Sequence, residues 1–243
     1  MRKPSLSMND IKNNQMHFKS LNHPIKPFKL KAGNDIIKFK EIDYTQKPSK
    51  ELLVDTFTFF LDNFANQSSH PYWKKCRKHT ETFERKTYIN KIISEINHFK
   101  KALKNPDTTL MIGRNKDNKI SAAIFATPLN LTPIVKNNNT LYIDSIAVNK
   151  EYRGYNIGKN LLENVIKSTN DRYNDVFLVA YKESEPFYTK QGFKTLKNRG
   201  ANQSNYIKNL ASERIDYPKY ASFLNRPINK NKQRWYNKDL PTN

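Results

Sequence analysis

The chain is short of the residues that cross-link or bend a protein by special means. Among its 243 residues there is one cysteine, Cys76, which excludes an internal disulfide framework and a cysteine-rich metal cage. Glycine is scarce at six, yet two of the six, Gly154 and Gly158, lie within one five-residue stretch. Nowhere does an apolar run approach the roughly 20 residues that span a bilayer. The opening segment MRKPSLSMNDIKNN also lacks the apolar core of a secretory signal. The expectation is a soluble, cytoplasmic protein with no membrane partner and no metal. A hydrophobic content of 37% suffices for one good core, and a second full domain would be cramped.

Acidic residues are in deficit as well, 22 against 43 basic ones, for a formal net charge of +21. Such a field attracts polyanions: nucleic acid, acidic protein or a phosphorylated cofactor. The charge is densest at the ends. Residues 1–34 carry seven Lys/Arg and one Asp, and residues 211–243 carry seven Lys/Arg and three acids. With Pro4, Pro24 and Pro27 and little periodicity, 1–34 reads as a basic arm, and 211–243 reads as a basic, aromatic C-terminal extension. Between them, 35–210 carries the patterned domain.

The pattern starts with the loosely alternating DIIKFKEID, a strand over 35–43. From Ser49, a capping residue, Leu52, Leu53, Phe57, Phe60, Leu61 and Phe64 recur at helical spacing. A second helix is expected over about 84–103, with Ile89, Ile92, Ile93, Ile96, Phe99 and Leu103 on one stripe. Strands follow at 109–117 and 119–129, joined by a hairpin turn in RNKDNK, and then at 140–148. Ile157, Leu161, Leu162, Val165 and Ile166 mark a further helix. DVFLVAY (175–181) is a buried strand, SEPFYTKQ a short helix with Pro186 in its first turn, and GFKTLKN with SNYIKNL a closing hairpin. The order predicts an α/β domain with a mixed central sheet.

The stretch AVNKEYRGYNIG joins the third of those strands to the helix after it. A helix that begins straight after a strand exposes unpaired N–H groups and the positive end of its dipole, which favours an anion. Gly154 and Gly158 let the backbone bend and approach a ligand, and Arg153 adds charge, so a pyrophosphate fits against the N–H groups of residues 154–159.

Taken together, LYIDSIAVNKEYRGYNIGKNLL, the buried strand after it and EPFYTKQGF closely resemble the Gcn5-related N-acetyltransferase (GNAT) superfamily. That family's acyl-CoA motif is Arg or Gln, two residues, Gly, one residue, then Gly or Ala, with a Val five residues before the Arg. Val148 and Arg153 match this spacing. The motif's middle Gly is Asn156 here, a residue type that tolerates positive φ better than other non-glycine residues. The resemblance covers about 35–210 and implies the GNAT acyl-CoA N-acyltransferase fold, with helices on both faces of the sheet. It implies acetyl-CoA as co-substrate. Arg153, Gly154, Tyr155, Asn156, Ile157, Gly158 and Lys159 would surround the pyrophosphate, and Ile146, Ala147 and Val148 would pair with the pantetheine arm, whose amides add to a strand edge as a peptide does. The strand 175–181 must then splay away to open that edge.

Acyl transfer to an amine needs a neutral nucleophile, a polarised carbonyl and a proton for the departing thiolate. Tyr188, four residues before Gly192, matches the position from which the family's tyrosine faces the sulfur. Asp144 lies four residues before Val148, so on a regular strand it shares a face with Ile146 and Val148; it either meets the amine or holds a loop, and Glu183 and Glu185 are its rivals. The expected activity is acetyl transfer to a primary amine by direct attack in a ternary complex. The competing reading is a non-catalytic acyl-CoA-fold module whose basic flanks contact nucleic acid or an acidic partner. The +21 charge disfavours a polycationic acceptor unless Asp55, Asp62, Glu81 and Glu84 form a local acidic pocket, and favours a protein or RNA-borne amine. His70, Cys76 and His79 lack a fourth soft ligand for zinc. The tail's Tyr217, Tyr220, Phe223, Trp235 and Tyr236 are expected to pack back onto the body.

Overall fold

A computed structural model of the chain describes residues 25–43, 48–65, 96–128 apart from His98, 140–195 and 221–228. The strands are β1 (Phe28–Ala32), β2 (Asp35–Glu41), β3 (Thr109–Arg114), β4 (Ile120–Pro128), β5 (Thr140–Val148), β6 (Asp175–Tyr181), β7 (Lys194–Thr195) and β8 (Ala221–Pro227). The helices are α1 (Lys50–Ala65), α2 (Ile157–Ser168) and α3 (Glu185–Lys190), with a 3-10 turn at Lys150–Tyr152. All eight strands form one sheet in the order β1-β2-β3-β4-β5-β6-β8-β7. Only β5 and β6 run parallel. Among the described residues, no helix is long and apolar enough to cross a membrane.

Local sequence accounts for most element limits. The Ser49 hydroxyl accepts the Leu52 N–H at 3.1 Å and so caps α1 as expected. The β3–β4 hairpin is tied by the Asn115 side chain, which accepts from the N–H groups of Asp117 (3.1 Å) and Lys119 (2.9 Å), while Asn118 takes φ 60°. Gly113 leaves room on β3 for a neighbouring ring: a Cβ there would stand 2.4 Å from Phe39 Cε1.

The centre of the sheet is buried on both faces. On one, Ile157, Leu161, Leu162, Val165 and Ile166 of α2 pack with Phe39, Ile124, Ile143 and Leu178. On the other, Leu53 and Phe60 of α1 meet Leu110, Ile112 and Phe125, joined by Phe99 and Leu103 from the end of the expected second helix, of which residues 96, 97 and 99–102 are described and helical. Phe99 and Phe125 lie 4.3 Å apart, centroid to centroid. Helices thus cover both faces of a mixed sheet.

Two expectations are corrected here. Residues 28–32, assigned to the arm, form edge strand β1, paired with β2 from Phe28↔Phe39 to Ala32↔Asp35. Part of the expected C-terminal extension also joins the sheet: Ala221–Pro227 forms β8, which pairs with β7. Strand β8 in fact lies between β6 and β7 and matches β6 along its whole length, from Asp175↔Pro227 to Tyr181↔Ala221. The ordered sheet therefore passes both ends of 35–210. His70, Cys76, His79, SNYIKNL and the tail aromatics other than Phe223 lie outside the described residues.

Candidate active site

Strand β5 changes neighbours halfway along. Thr140–Ile143 pair in parallel with Asp175–Leu178 of β6, and the register stops there. On the other edge, β5 stays bonded to β4 as far as Ala122↔Val148. Among the described residues, Ser145–Val148 therefore have no strand partner on the β6 side, which is the splay that the sequence reading requires of 175–181.

The change coincides with a bulge. Phe125 of β4 stands opposite Ser145 while Ala126 stands opposite Ile143, so Asp144 is the extra residue. The bulge resets the alternation of β5: Ile143 and Ile146 both belong to the α2 face, and Ala147 to the α1 face. The expected sharing of a face by Asp144, Ile146 and Val148 is thereby corrected, because a bulge places its two residues on the side of the one they oppose, here the Phe125 side under α1. Asp144 is exposed, and the Ser145 hydroxyl donates to its carboxylate at 2.9 Å.

The turn after β5 is anchored by three side chains. Buried Tyr152 donates to Asp35 at 2.9 Å and accepts from the Asn115 side chain at 3.1 Å. The Tyr155 ring, half exposed, lies over the β1–β2 turn at Gly33. The Arg153 guanidinium donates to the Val148 carbonyl at 3.0 Å and to the Asn63 side chain of α1 at 3.2 Å. Gly154 takes φ 89° and Asn156 φ 59°, so the asparagine does adopt the left-handed conformation. Asn156 is the N-cap of α2 and makes no side-chain cap bond, and the first turn holds no acid. The intrahelical ladder opens with Asn160 N–H on the Asn156 carbonyl at 2.9 Å, which leaves the N–H groups of Ile157, Gly158 and Lys159 ahead of it. Gly158 faces inward: a Cβ there would meet Val148 at 3.4 Å and Phe187 at 3.5 Å. The glycine thus lets the helix start close against the open end of β5.

Tyr188 of α3 is 8% exposed and stacks edge-on with Phe187 (5.0 Å) and Phe193 (5.8 Å). Burial raises its phenol well above the usual value, so the group stays protonated throughout the neutral range. No hydrogen bond of its hydroxyl falls among the described residues. Of the rival acids, Glu185 is held by the hydroxyls of Ser222 and Thr195, each at 2.8 Å, which lower its pKa and tie α3 to β7 and β8. Glu183 is exposed at the turn after β6.

Three supports escaped the sequence reading. Arg226 of β8 makes a two-pronged ion pair with Glu163 of α2 and lies over the Phe193 ring at 5.9 Å. Asn63 binds Arg153 with its oxygen while its amide nitrogen donates to the Phe59 carbonyl at 2.9 Å. Both joins cross long sequence separations and carry no local signal. The bulge at Asp144 is legible only from strand register.

A sequence model described as an acetyltransferase (GNAT) domain matches residues 74–207, just over half of the chain. Comparison with curated proteins gives no match. Among solved structures, the chain is similar to a GNAT-family acetyltransferase from Staphylococcus aureus Mu50, at 16% identity and a TM-score of 0.50, over 79% of this chain and 99% of that one. It is similar to a Pyrococcus horikoshii OT3 protein at the same identity, TM-score and coverage. Identities this low speak for the fold alone. Since that family model covers more than half of the chain, including the strand β5, the glycine-bearing turn and the short helix of Tyr188, the chain belongs to the GNAT family of acetyltransferases.

Proposed function

We propose that the protein transfers an acetyl group from acetyl-CoA to a primary amine by direct attack in a ternary complex. The observation that carries this reading is the seam where β5 leaves β6: a strand edge at Ser145–Val148, open among the described residues, runs straight into a helix start whose first N–H groups lie ahead of the intrahelical ladder. The residues fit the group that the family uses. The edge of Ile146–Val148 offers backbone partners to the pantetheine amides, and the N–H groups at 154–159 with Lys159 and the dipole of α2 suit its pyrophosphate. Arg153 acts chiefly as a strut, since its guanidinium is committed to Val148 and Asn63. When bound, acetyl-CoA supplies an activated acetyl thioester.

The chain's own groups then divide the proton work. Tyr188 serves as the proton donor to the departing thiolate. Burial keeps it protonated, and its ring contacts fix its position. Asp144, exposed at the bulge where the edge opens, draws in the acceptor ammonium and takes its proton directly or through water. The acceptor class favoured by the net charge is a protein or RNA-borne amine.

Acetyl-CoA titrated into the protein during thermal unfolding tests the reading. Native-state binding adds about 2.7 kcal/mol at 100 times the dissociation constant. A panel of peptide, RNA-borne and small-molecule amines, followed by release of free CoA, then identifies the acceptor. An unshifted melting temperature at saturating acetyl-CoA would reject the proposal.

A further inference from the structure

The face of β1, β2 and β3 that continues the α1 side of the sheet carries a plate of cations. Lys29 stands opposite Lys38, and Lys38 opposite Arg114, so three positive side chains form one row across three neighbouring strands. Lys31 and Lys40, two residues along β1 and β2, extend the row on the same face, and Lys29, Lys31, Lys38 and Lys40 are all exposed. The facing side of the same strands is apolar, with Ala32, Ile37 and Phe39 buried. Helix α1 lies over β4 and β5, and the four lysines stay exposed.

Like charges directly opposite on adjacent strands are unfavourable. Protection of an exposed sheet edge explains Lys29 and Lys31 but not Lys38 and Arg114, which occupy interior strands. Nor do the nearby acids among the described residues relieve the row. Asp35 is engaged by Tyr152 and Lys116, and Glu41 accepts the Ile25 N–H. None of the four lysines has an ion pair or hydrogen bond among the described residues. Lys29, Lys38 and Lys40 also rim a shallow cavity of about 250 Å³ beside Pro27 and Phe28.

We infer that this plate, formed by Lys29, Lys31, Lys38, Lys40 and Arg114, is a binding surface for the phosphate backbone of nucleic acid. At about 4.8 Å per strand, the row spans roughly 10 Å, broad enough for a backbone laid across it. Protein interfaces depend on apolar anchors, and on these strands Ile36 is the one exposed large apolar side chain among the described residues. With no exposed aromatic ring borne by β1, β2 or β3 among the described residues, the contact is to phosphates and independent of sequence. The plate stands apart from the acyl-transfer site, since none of its five cations is among the residues assigned to acetyl-CoA.

The test uses the full chain, fluorescein-labelled RNA and DNA duplexes of one mixed sequence, and poly-glutamate. A variant combining Lys29→Gln, Lys31→Gln, Lys38→Gln and Lys40→Gln is compared with one combining Lys101→Gln, Lys104→Gln, Lys167→Gln and Lys190→Gln, which removes the same charge from exposed sites elsewhere. Each phosphate contact contributes about 0.9 to the slope of log affinity against log salt, so the plate variant should lose about 2 to 4 of that slope and the control less than 1. A milder Lys29→Gln, Lys38→Gln pair, expected to lose about 1 to 2, replaces the first variant if it melts without cooperativity. Equal losses in both variants, or the lack of salt-sensitive duplex binding by the unaltered chain, would overturn the inference. Poly-glutamate binding that weakens in parallel with the duplexes would assign the plate to an acidic polypeptide instead. A difference between the RNA and DNA arms identifies which duplex is preferred.

Discussion

From Leu141 to Ile143, β5 is bonded on both edges; among the described residues, Ser145 to Val148 are bonded to β4 alone. The two halves have similar composition, both rich in apolar residues, so propensity does not separate them. What separates them is a single inserted residue, Asp144, and the direction of β6 beyond it. The first half is architecture, with Leu141 and Ile143 fully buried; the second keeps its edge open beside a helix start. An unfilled strand edge is a liability in a finished sheet unless something is meant to occupy it.

Breaking the closed half should give the largest effect. β6 is held by β5 over only four residues on one side and by β8 over seven on the other. A chain ended at residue 210 removes β8 along with the Arg226–Glu163 pair and Leu224, which is fully buried. The expected outcome is loss of a cooperative melting transition, read by circular dichroism. A truncated chain that melts cooperatively and still responds to acetyl-CoA would show that β8 is dispensable.

The next effect belongs to the open half. Tyr188→Phe keeps the ring between Phe187 and Phe193 and removes only the hydroxyl, so turnover should fall by about 10² to 10⁴ while acetyl-CoA affinity stays near normal. Turnover within a few-fold of the parent, with chemistry rate-limiting, would reduce Tyr188 to a packing residue.

Gly158→Val tests the junction between strand end and helix start. Its Cβ fits at ordinary contact distance, but the added methyl groups press on Val148 and Phe187. Overpacking of this kind costs about 1–3 kcal/mol. Calorimetry should show acetyl-CoA binding weakened by about tenfold or more, with a modestly lowered melting temperature. Unchanged affinity would remove the pyrophosphate from this turn.

The smallest effect is one of pH. Burial raises Tyr173 and Tyr181 to about 12, and Tyr188 also moves upward. Unfolded tyrosines ionise near 10, so the unfolded state loses its protons first; the stabilisation is fully present below about pH 10 and disappears as pH rises through the folded values. Melting temperature should fall steadily between about pH 10 and 12, and less steeply in Tyr188→Phe. Equal slopes in the two proteins would contradict the burial of that phenol.

Much of this was open to a reader of the sequence. The Ser49 cap, the Asn115–Lys119 turn, the α2 stripe and the buried strand 175–181 follow from interactions within a few residues, and short-range patterns record such interactions directly. Asn156 was readable as a left-handed residue because its side chain tolerates that conformation. The pairing of β7 with β8 was not readable: between Thr195 and Ala221 lie other stretches with strand character, and local pattern cannot rank partners separated by a loop. The side taken by Asp144 was lost for a similar reason, since counting by twos assumes an unbroken strand and a bulge is defined only against its neighbour. The edge strand β1 was hidden because Lys29 and Lys31 alternate with apolar residues too briefly to stand out in a charged flank.

By itself, then, the sequence determined the α/β class, the helix that follows the glycine-bearing turn and the short helix that carries Tyr188, because each is written in contiguous residues. Only the tertiary structure decided which strand closes the sheet, that Arg153 braces Val148 to Asn63, and that Lys29, Lys38 and Arg114 share one row. Those features arise where segments far apart in the chain are brought to within hydrogen-bonding distance, and the geometry that does so belongs to the whole sheet rather than to any stretch of it.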